Sequence, residues 1–158
     1  MMIANFAKIS VKIVGDSFAM QKQKIITTKD MEKIKVFGFL MPTPEYAKTI
    51  GGGQYNGYVA INRAYLTEEQ DYQHWLDDMD GVMYGGCTLD VFSGECFKNR
   101  EIVPVTDIDT NWSEYMVFGF DTMHVDDTWD YWTKERVAME VKNHVTYANG
   151  IIEQYIEK

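Results

Sequence analysis

A chain of 158 residues with 46% hydrophobic and 14% aromatic content is long enough for one domain with a real core, and too apolar to be disordered. Its formal charge of −9 is unevenly placed, with eight Lys against four Asp/Glu in residues 1–50 and seven Lys/Arg against twenty Asp/Glu in residues 51–158. A body this acidic repels phosphate backbones, which speaks against direct DNA or RNA binding and leaves an acidic protein-binding surface or plain solubility as its purpose.

The first residues, MMIANFAKIS, lack the basic-then-apolar layout of a signal peptide, and no apolar run reaches the length of a membrane span. A cytosolic protein without a membrane partner is expected. Residues 8–14 alternate Ile9, Val11 and Ile13 with Lys8, Ser10 and Lys12, the pattern of a strand with one wet face. Residues 22–41 predict two strands around a turn, with a short helix from Thr28 as the alternative. Gly51, Gly52 and Gly53 follow without the Lys-Ser/Thr of a phosphate loop, so a flexible joint is expected there. The charge reversal at the same place suggests 1–50 as a β-rich extension or accessory layer and 51–158 as the core domain.

Tyr58–Ile61 reads as a short strand. Thr67–Asp80 is strongly acidic and predicts a turn of helix capped by Thr67; its carboxylates lack the spacing of a calcium loop and suit a solvated face. Val82–Asp90 has a strand pattern interrupted by Gly85 and Gly86, which marks either a bulge or a close approach by another backbone or a ligand. A turn at Ser93-Gly94 and a short strand over Glu95–Lys98 follow, then a loop or edge through Pro104. Cys87 and Cys96 are expected as free thiols, and no metal-ligand spacing or cofactor motif is present.

Met116–Phe120 is a short apolar run suited to a buried strand, and it changes abruptly into Asp121, His124, Asp126 and Asp127. Ionisable side chains at the point where a buried strand surfaces are held rigidly, as a site requires. Thr133 reads as the cap of a final helix with Glu135 in its first turn. Val137, Val141, Val145, Ala148, Ile152 and Tyr155 make one apolar stripe, and Gly150 is expected to end or kink the helix. The class these elements define is α+β: a twisted, mostly antiparallel sheet with the C-terminal amphipathic helix on one face.

GYVAI (57–61), YGGCT (84–88), VFGFDTMHVDD (117–127) and YWTKERVAMEV (131–141) occur in an order that resembles a family of small bacteriophage and mobile-element proteins. That family carries a His-Gly-Gly-Leu-Thr-like and a W-x-GFD-x-x-H-x-x-D-like segment. Gly85, Gly86, Thr88, Gly119, Phe120, Asp121, His124 and Asp127 match it; Tyr84 stands where the family often has His, and Met116 or Val117 where it has Trp. With an unperturbed pKa near 10, Tyr84 is a poor base at neutral pH, which favours binding over hydrolysis.

The expected ligand-binding set is therefore Tyr84, Gly85, Gly86, Thr88, Asp121, His124 and Asp127. A carboxylate beside the imidazole would prepare His124 as a base or as a cation for phosphate; alternatively Asp121 caps a turn and His124 is a satisfied structural residue. Trp112, Trp129, Tyr131 and Trp132 could stack on a base, with at least one Trp expected to be plain packing. What the resemblance implies is an accessory, anti-defence protein in the host cytoplasm that sequesters a small nucleotide-derived immune signal, with no cofactor. The alternatives are a hydrolase or phosphodiesterase using His124 and Asp121, and an acidic inhibitor of a host defence protein that mimics nucleic acid, of the anti-CRISPR type. A homo-oligomer is compatible with all three.

Overall fold

The computed structural model describes residues 33–155, so the strand expected at 8–14 and the first of the two expected within 22–41 lie outside the described residues. Among the described residues, five strands form one antiparallel sheet, in the spatial order β3-β5-β2-β1-β4: β1 (Val36–Pro42), β2 (Tyr55–Asn62), β3 (Leu89–Val91), β4 (Val103–Pro104) and β5 (Tyr115–Phe120). The described residues also form three α-helices: α1 (Ala47–Ile50), α2 (Tyr72–Asp80) and α3 (Lys134–Tyr155). No described helix is long and apolar enough to cross a membrane.

Every residue of β5 is buried because both faces of the sheet are covered, which is why this strand reads as a continuous apolar run and not as an alternation. Met116, Phe118 and Phe120 point to the α3 side, where Val137, Val141, Val145, Ala148 and Ile152 meet them. Tyr115 and Val117 point the other way, into an aromatic layer of Phe37, Phe39, Phe97 and Trp112. Each such side chain contributes about 1.5–3 kcal/mol on burial. Helix α3 can approach this closely because β2 has Gly57 beneath it; a Cβ there would sit 2.7 Å from Val141 Cγ2 and 2.4 Å from the Phe120 ring.

The connection from β1 to β2 bears on the flexible joint expected at Gly51, Gly52 and Gly53. The strands pair along their whole length, from Val36 opposite Ile61 to Pro42 opposite Tyr55, so the charge reversal near residue 50 falls between two neighbouring strands of one sheet. Gly52 and Gly53 are packed and not a loose joint: both are buried, and a Cβ on Gly53 would meet Thr122 Oγ1 at 2.4 Å and Trp132 Cβ at 2.5 Å, while exposed Gly51 ends α1 in the left-handed region at φ 86°. Close approach, not flexibility, is what selects glycine here.

Three local expectations also change. The α2 cap is Asp71, whose carboxylate accepts from His74 N at 3.0 Å, while Thr67 closes a separate turn by accepting from Gln70 N at 2.9 Å. Residues 94–97 form a 3₁₀ turn instead of a strand, which delivers Phe97 to the aromatic layer. The Val82–Asp90 segment is strand only from Leu89; residues 82–88 are a turn, because Gly85 (φ 66°) and Gly86 (φ 88°) are left-handed and cannot continue a pleat.

Helix α3 begins as its sequence predicts, with the Thr133 carbonyl accepting from Val137 N at 3.1 Å and its hydroxyl accepting from Arg136 N at 3.4 Å. It does not stop at Gly150 but runs on to Tyr155, whose ring is largely exposed. A Cβ at Gly150 would meet nothing within 4 Å, so tertiary packing tolerates a helix-weakening residue there. Gly150→Ala should accordingly raise the unfolding free energy by about 0.5–1 kcal/mol in urea titrations, with an unchanged slope.

Candidate functional site

The chain leaves β5 at Asp121, and buried Thr122 pins the exit. Its hydroxyl donates to Tyr55 O at 2.9 Å, its N–H donates to Asn56 Oδ1 at 3.1 Å, and its carbonyl accepts from Gly53 N at 2.8 Å. Asp121 Oδ1 then accepts from Met123 N at 2.9 Å, and a turn closes with Asp127 N donating to His124 O at 3.0 Å. Asp126 sits in the left-handed region of that turn, at φ 76°.

Asp127 is the centre of the arrangement. Only 5% exposed, its carboxylate accepts from the Tyr84 hydroxyl at 2.6 Å, from Trp132 Nε1 at 2.7 Å and from His124 N at 2.7 Å. Burial alone would push its carboxyl up, but the donors from Tyr84, the His124 backbone and Trp132 outweigh that and hold it below the usual carboxylate range. The same contact pushes the Tyr84 hydroxyl up, because the bond to Asp127 needs its proton; burial adds to the effect.

The His124 ring lies on this carboxylate. Its Nδ1 is 3.3 Å from Asp127 Oδ2 and 3.8 Å from Asp121 Oδ1, yet neither approach is aligned as a hydrogen bond, and the buried Nδ1 has no hydrogen-bond partner. The Tyr84 ring stands edge-on to the imidazole at 5.0 Å. The far nitrogen faces the glycine turn, since a Cβ on Gly85 would come within 2.3 Å of His124 Nε2. Gly85 is thus required twice, for its φ and for the ring packed on it.

Tyr84, Gly85, Asp121, His124 and Asp127 therefore come together as one cluster. Gly86 and Thr88 anchor the turn from outside it. Asp80 Oδ1 accepts from Cys87 N at 2.7 Å and lies 3.0 Å from a Cβ position on Gly86, so a carboxylate of the chain itself already lies against the Gly86 side of the turn. Thr88 N donates to Gly119 O at 2.9 Å, tying the turn to the end of β5.

Of the aromatic residues named from the sequence, Trp112 and Trp132 are buried, the first as plain core packing and the second as a donor to Asp127. Trp129 is half-buried and Tyr131 is exposed; Lys48 Nζ lies 5.8 Å from the Trp129 ring centre and the Arg136 guanidinium 3.7 Å from that of Tyr131. The acidic segment is less free than its composition suggests. Asp71, Asp77 and Asp78 accept from His74, Gln73 and Gln70 within the segment, and Asp80 is taken by the glycine turn.

Sequence reasoning missed His144, on α3. It is buried, and its Nε2 lies 3.2 Å from Val82 O, bracing the start of the Tyr84 turn. Burial holds this imidazole below its ordinary 6.5, although the Val82 carbonyl and Glu140 pull the other way. The folded chain thus takes up a proton less readily than the unfolded one. Stability contributed by neutral His144 is complete above about pH 6.5 and is lost as pH falls below it, by at most about 1.4 kcal/mol per pH unit. His144→Gln should flatten that part of the profile in urea titrations run from pH 7.5 to 5.

A separate cavity of about 410 Å³, lined by Lys33, Asn62, Arg63, Ala64, Leu66, Phe92 and Glu114, lies at the opposite end of β2. Cys87 and Cys96 are free thiols, and among the described residues no group of three His, Cys, Asp or Glu side chains is placed to hold a metal ion. What fold and site define is a small α+β protein with a hydrogen-bonded Tyr-Asp-His-Trp cluster at one end of an antiparallel sheet. Neither family models, nor curated proteins, nor solved structures give a match to this chain.

Proposed function

We propose that this protein works by binding and not by catalysis, and that it sequesters a small nucleotide-derived signal as a phage-type accessory, anti-defence protein. The observation that carries the ligand class is the pair of aromatic faces that follow the Asp127 turn, Trp129 with Lys48 and Tyr131 with Arg136. Aromatic faces stack on a base for about 1–3 kcal/mol each, and Arg or Lys answers phosphate. Exposed Asp130 and half-exposed Asp121 would accept from ribose hydroxyls, and His124 lies on the same loop. Against catalysis stands the use already made of three reactive groups. Asp127 has both oxygens engaged, Tyr84 keeps its proton for Asp127, and burial pushes the Cys87 thiol up.

Calorimetry against cyclic dinucleotides and ADP-ribose derivatives tests this reading. Heat with one of them is expected, and the affinity should fall about 5–150-fold with Trp129→Ala or Tyr131→Ala. An absence of heat across the series overturns it. The hydrolase reading has one observation in its favour, the 3.3 Å approach of Asp127 to His124 Nδ1. It predicts product on chromatography that vanishes with His124→Ala, whereas sequestration leaves the ligand intact.

A further inference from the structure

The glycine turn beneath His124 is tied to α3 through one side chain. His144 belongs to the buried face of that helix and is 4% exposed. Its Nε2 lies 3.2 Å from Val82 O, its ring stands perpendicular to that of Phe120 at 5.4 Å, and its Nδ1 is buried with no hydrogen-bond partner. This geometry suits one protonation state. Nε2–H donates to the carbonyl while Nδ1 keeps a bare lone pair, and a proton on Nδ1 would add a buried positive charge with no acceptor. The downward push of burial on this imidazole has the same sign.

Glu140, one turn earlier on α3, is the charge that acts on the ring. The other groups nearby are engaged elsewhere. Asp78 of α2 acts on Tyr147 further along α3, and Asp80 accepts from Cys87 N. In the turn itself, Tyr84 keeps its proton for Asp127, and the Cys87 thiol donates to Leu89 O at 3.0 Å. From β5 comes only the Phe120 ring.

A charge on His144 has to reach water, and the two sides of the ring resist unequally. Helix α3 is fixed by Val137, Val141, Val145, Ala148 and Ile152 against the sheet. On the other side Gly81 is exposed and Val82 is 36% exposed, so the cover there is thin. Tyr84 and Gly85 follow directly, and they are the residues that meet Asp127 and His124.

We propose that His144 is a proton-operated latch on the 82–88 turn: neutral, it holds the turn closed against the His124 site, and protonated, it lets the turn open. The closed turn carries the imidazole with the lower affinity for protons, so its full hold is present above about pH 6.5 and weakens as pH falls below that value.

Native-state hydrogen exchange on the full chain, read residue by residue from pH 7.5 to 5 and corrected for intrinsic rates, tests this. The probes are Gly86 N–H, bonded to Met83 O, and Cys87 N–H, bonded to Asp80. Their protection should fall below about pH 6.5 by up to about tenfold per pH unit, and should not respond to low urea, as befits a local opening. Amides of the β2–β5 ladder should respond to urea. His144→Gln keeps an N–H for Val82 and takes up no proton, while His144→Leu loses the bond. Turn protection should be independent of pH in both, and at pH 7.5 the Gln variant should match the wild type. His74→Gln, at an exposed histidine beside Asp71, should leave the pH response intact. A turn without pH response, a response with the urea slope of the ladder, a response lost in His74→Gln, or one that survives in His144→Gln and His144→Leu and so belongs to His124 would each overturn the latch.

The effect on ligand rests on the sequestration reading above. A nucleotide that binds at pH 7.5 should bind more weakly at pH 5, by a factor no larger than the loss of protection at Gly86, and less of that fall should remain in His144→Gln. An equal fall in both proteins would overturn control of the site by the latch. No heat with any nucleotide at pH 7.5 would sink the sequestration reading alone, and the exchange data would still decide the latch.

Discussion

Asp127→Ala should lower the unfolding free energy by about 3–5 kcal/mol, the size of effect seen when one partner of a buried charged contact is removed. The change strips an acceptor from the Tyr84 hydroxyl, the Trp132 indole and the His124 amide at once, and each stranded donor carries a desolvation cost of about 1–3 kcal/mol. Asp127→Asn keeps the shape but points an amide N–H₂ at existing donors, so it should fall between the two, at about 1–3 kcal/mol. Urea titration with an unchanged slope measures both.

The pH dependence identifies the charge. The folded carboxyl is held below its ordinary 3.8, so the stability it contributes is fully present above that pH and is lost as pH falls through the folded value. The gap between wild type and Asp127→Asn should therefore be constant from pH 5 upward and close progressively below about pH 3.8. A gap that stays constant down to pH 2 would mean that the carboxyl titrates alike in the folded and unfolded chains, so that its charge contributes nothing to stability.

Periodicity and run length make the frame of this fold legible. The Met116–Phe120 run is a strand buried on both sides, and the valine stripe of α3 packs on one face of the sheet. The two segments singled out for a site do meet, with His124 on Gly85 and Tyr84 on Asp127. What the sequence hides is which partner each polar group takes, because that depends on contacts between residues far apart in the chain. Asp127 reads as a free ligand or loop residue, yet donors from three places saturate it, one of them 43 residues away. Gly51–Gly53 reads as slack because composition cannot report that Thr122 and Trp132 press on Gly53 and that Ala47 and Met123 press on Gly52. The Gly85-Gly86 pair reads as a strand defect because local pattern says nothing of φ, and the Asp80 carboxylate seated on it is visible only in three dimensions.

Trp132→Ala is the second large effect, at about 3–5 kcal/mol, and its origin differs from that of Asp127→Ala. The indole is almost wholly buried and packs on Tyr84 at 4.5 Å and on Phe120 at 6.4 Å, so alanine leaves a cavity where the sheet end meets the start of α3. The backbone at the same residue accepts from Gln54 N at 2.9 Å, and its Cβ fills the space that Gly53 leaves open. Trp132→Phe separates packing from polarity: most of the volume stays and only the Nε1 bond to Asp127 goes, for about 1–2 kcal/mol. If the cluster acts as a unit, Trp132→Phe and Asp127→Asn together should cost less than the sum of the two, with a coupling of about 0.5–3 kcal/mol. The imidazole resonances of His124 should move in both single variants, since the carboxylate that Trp132 orients is the one lying against Nδ1. Additive energies with an undisturbed His124 would reduce the cluster to three independent contacts, and the binding loop would then owe its shape to Thr122 and the glycines beneath it.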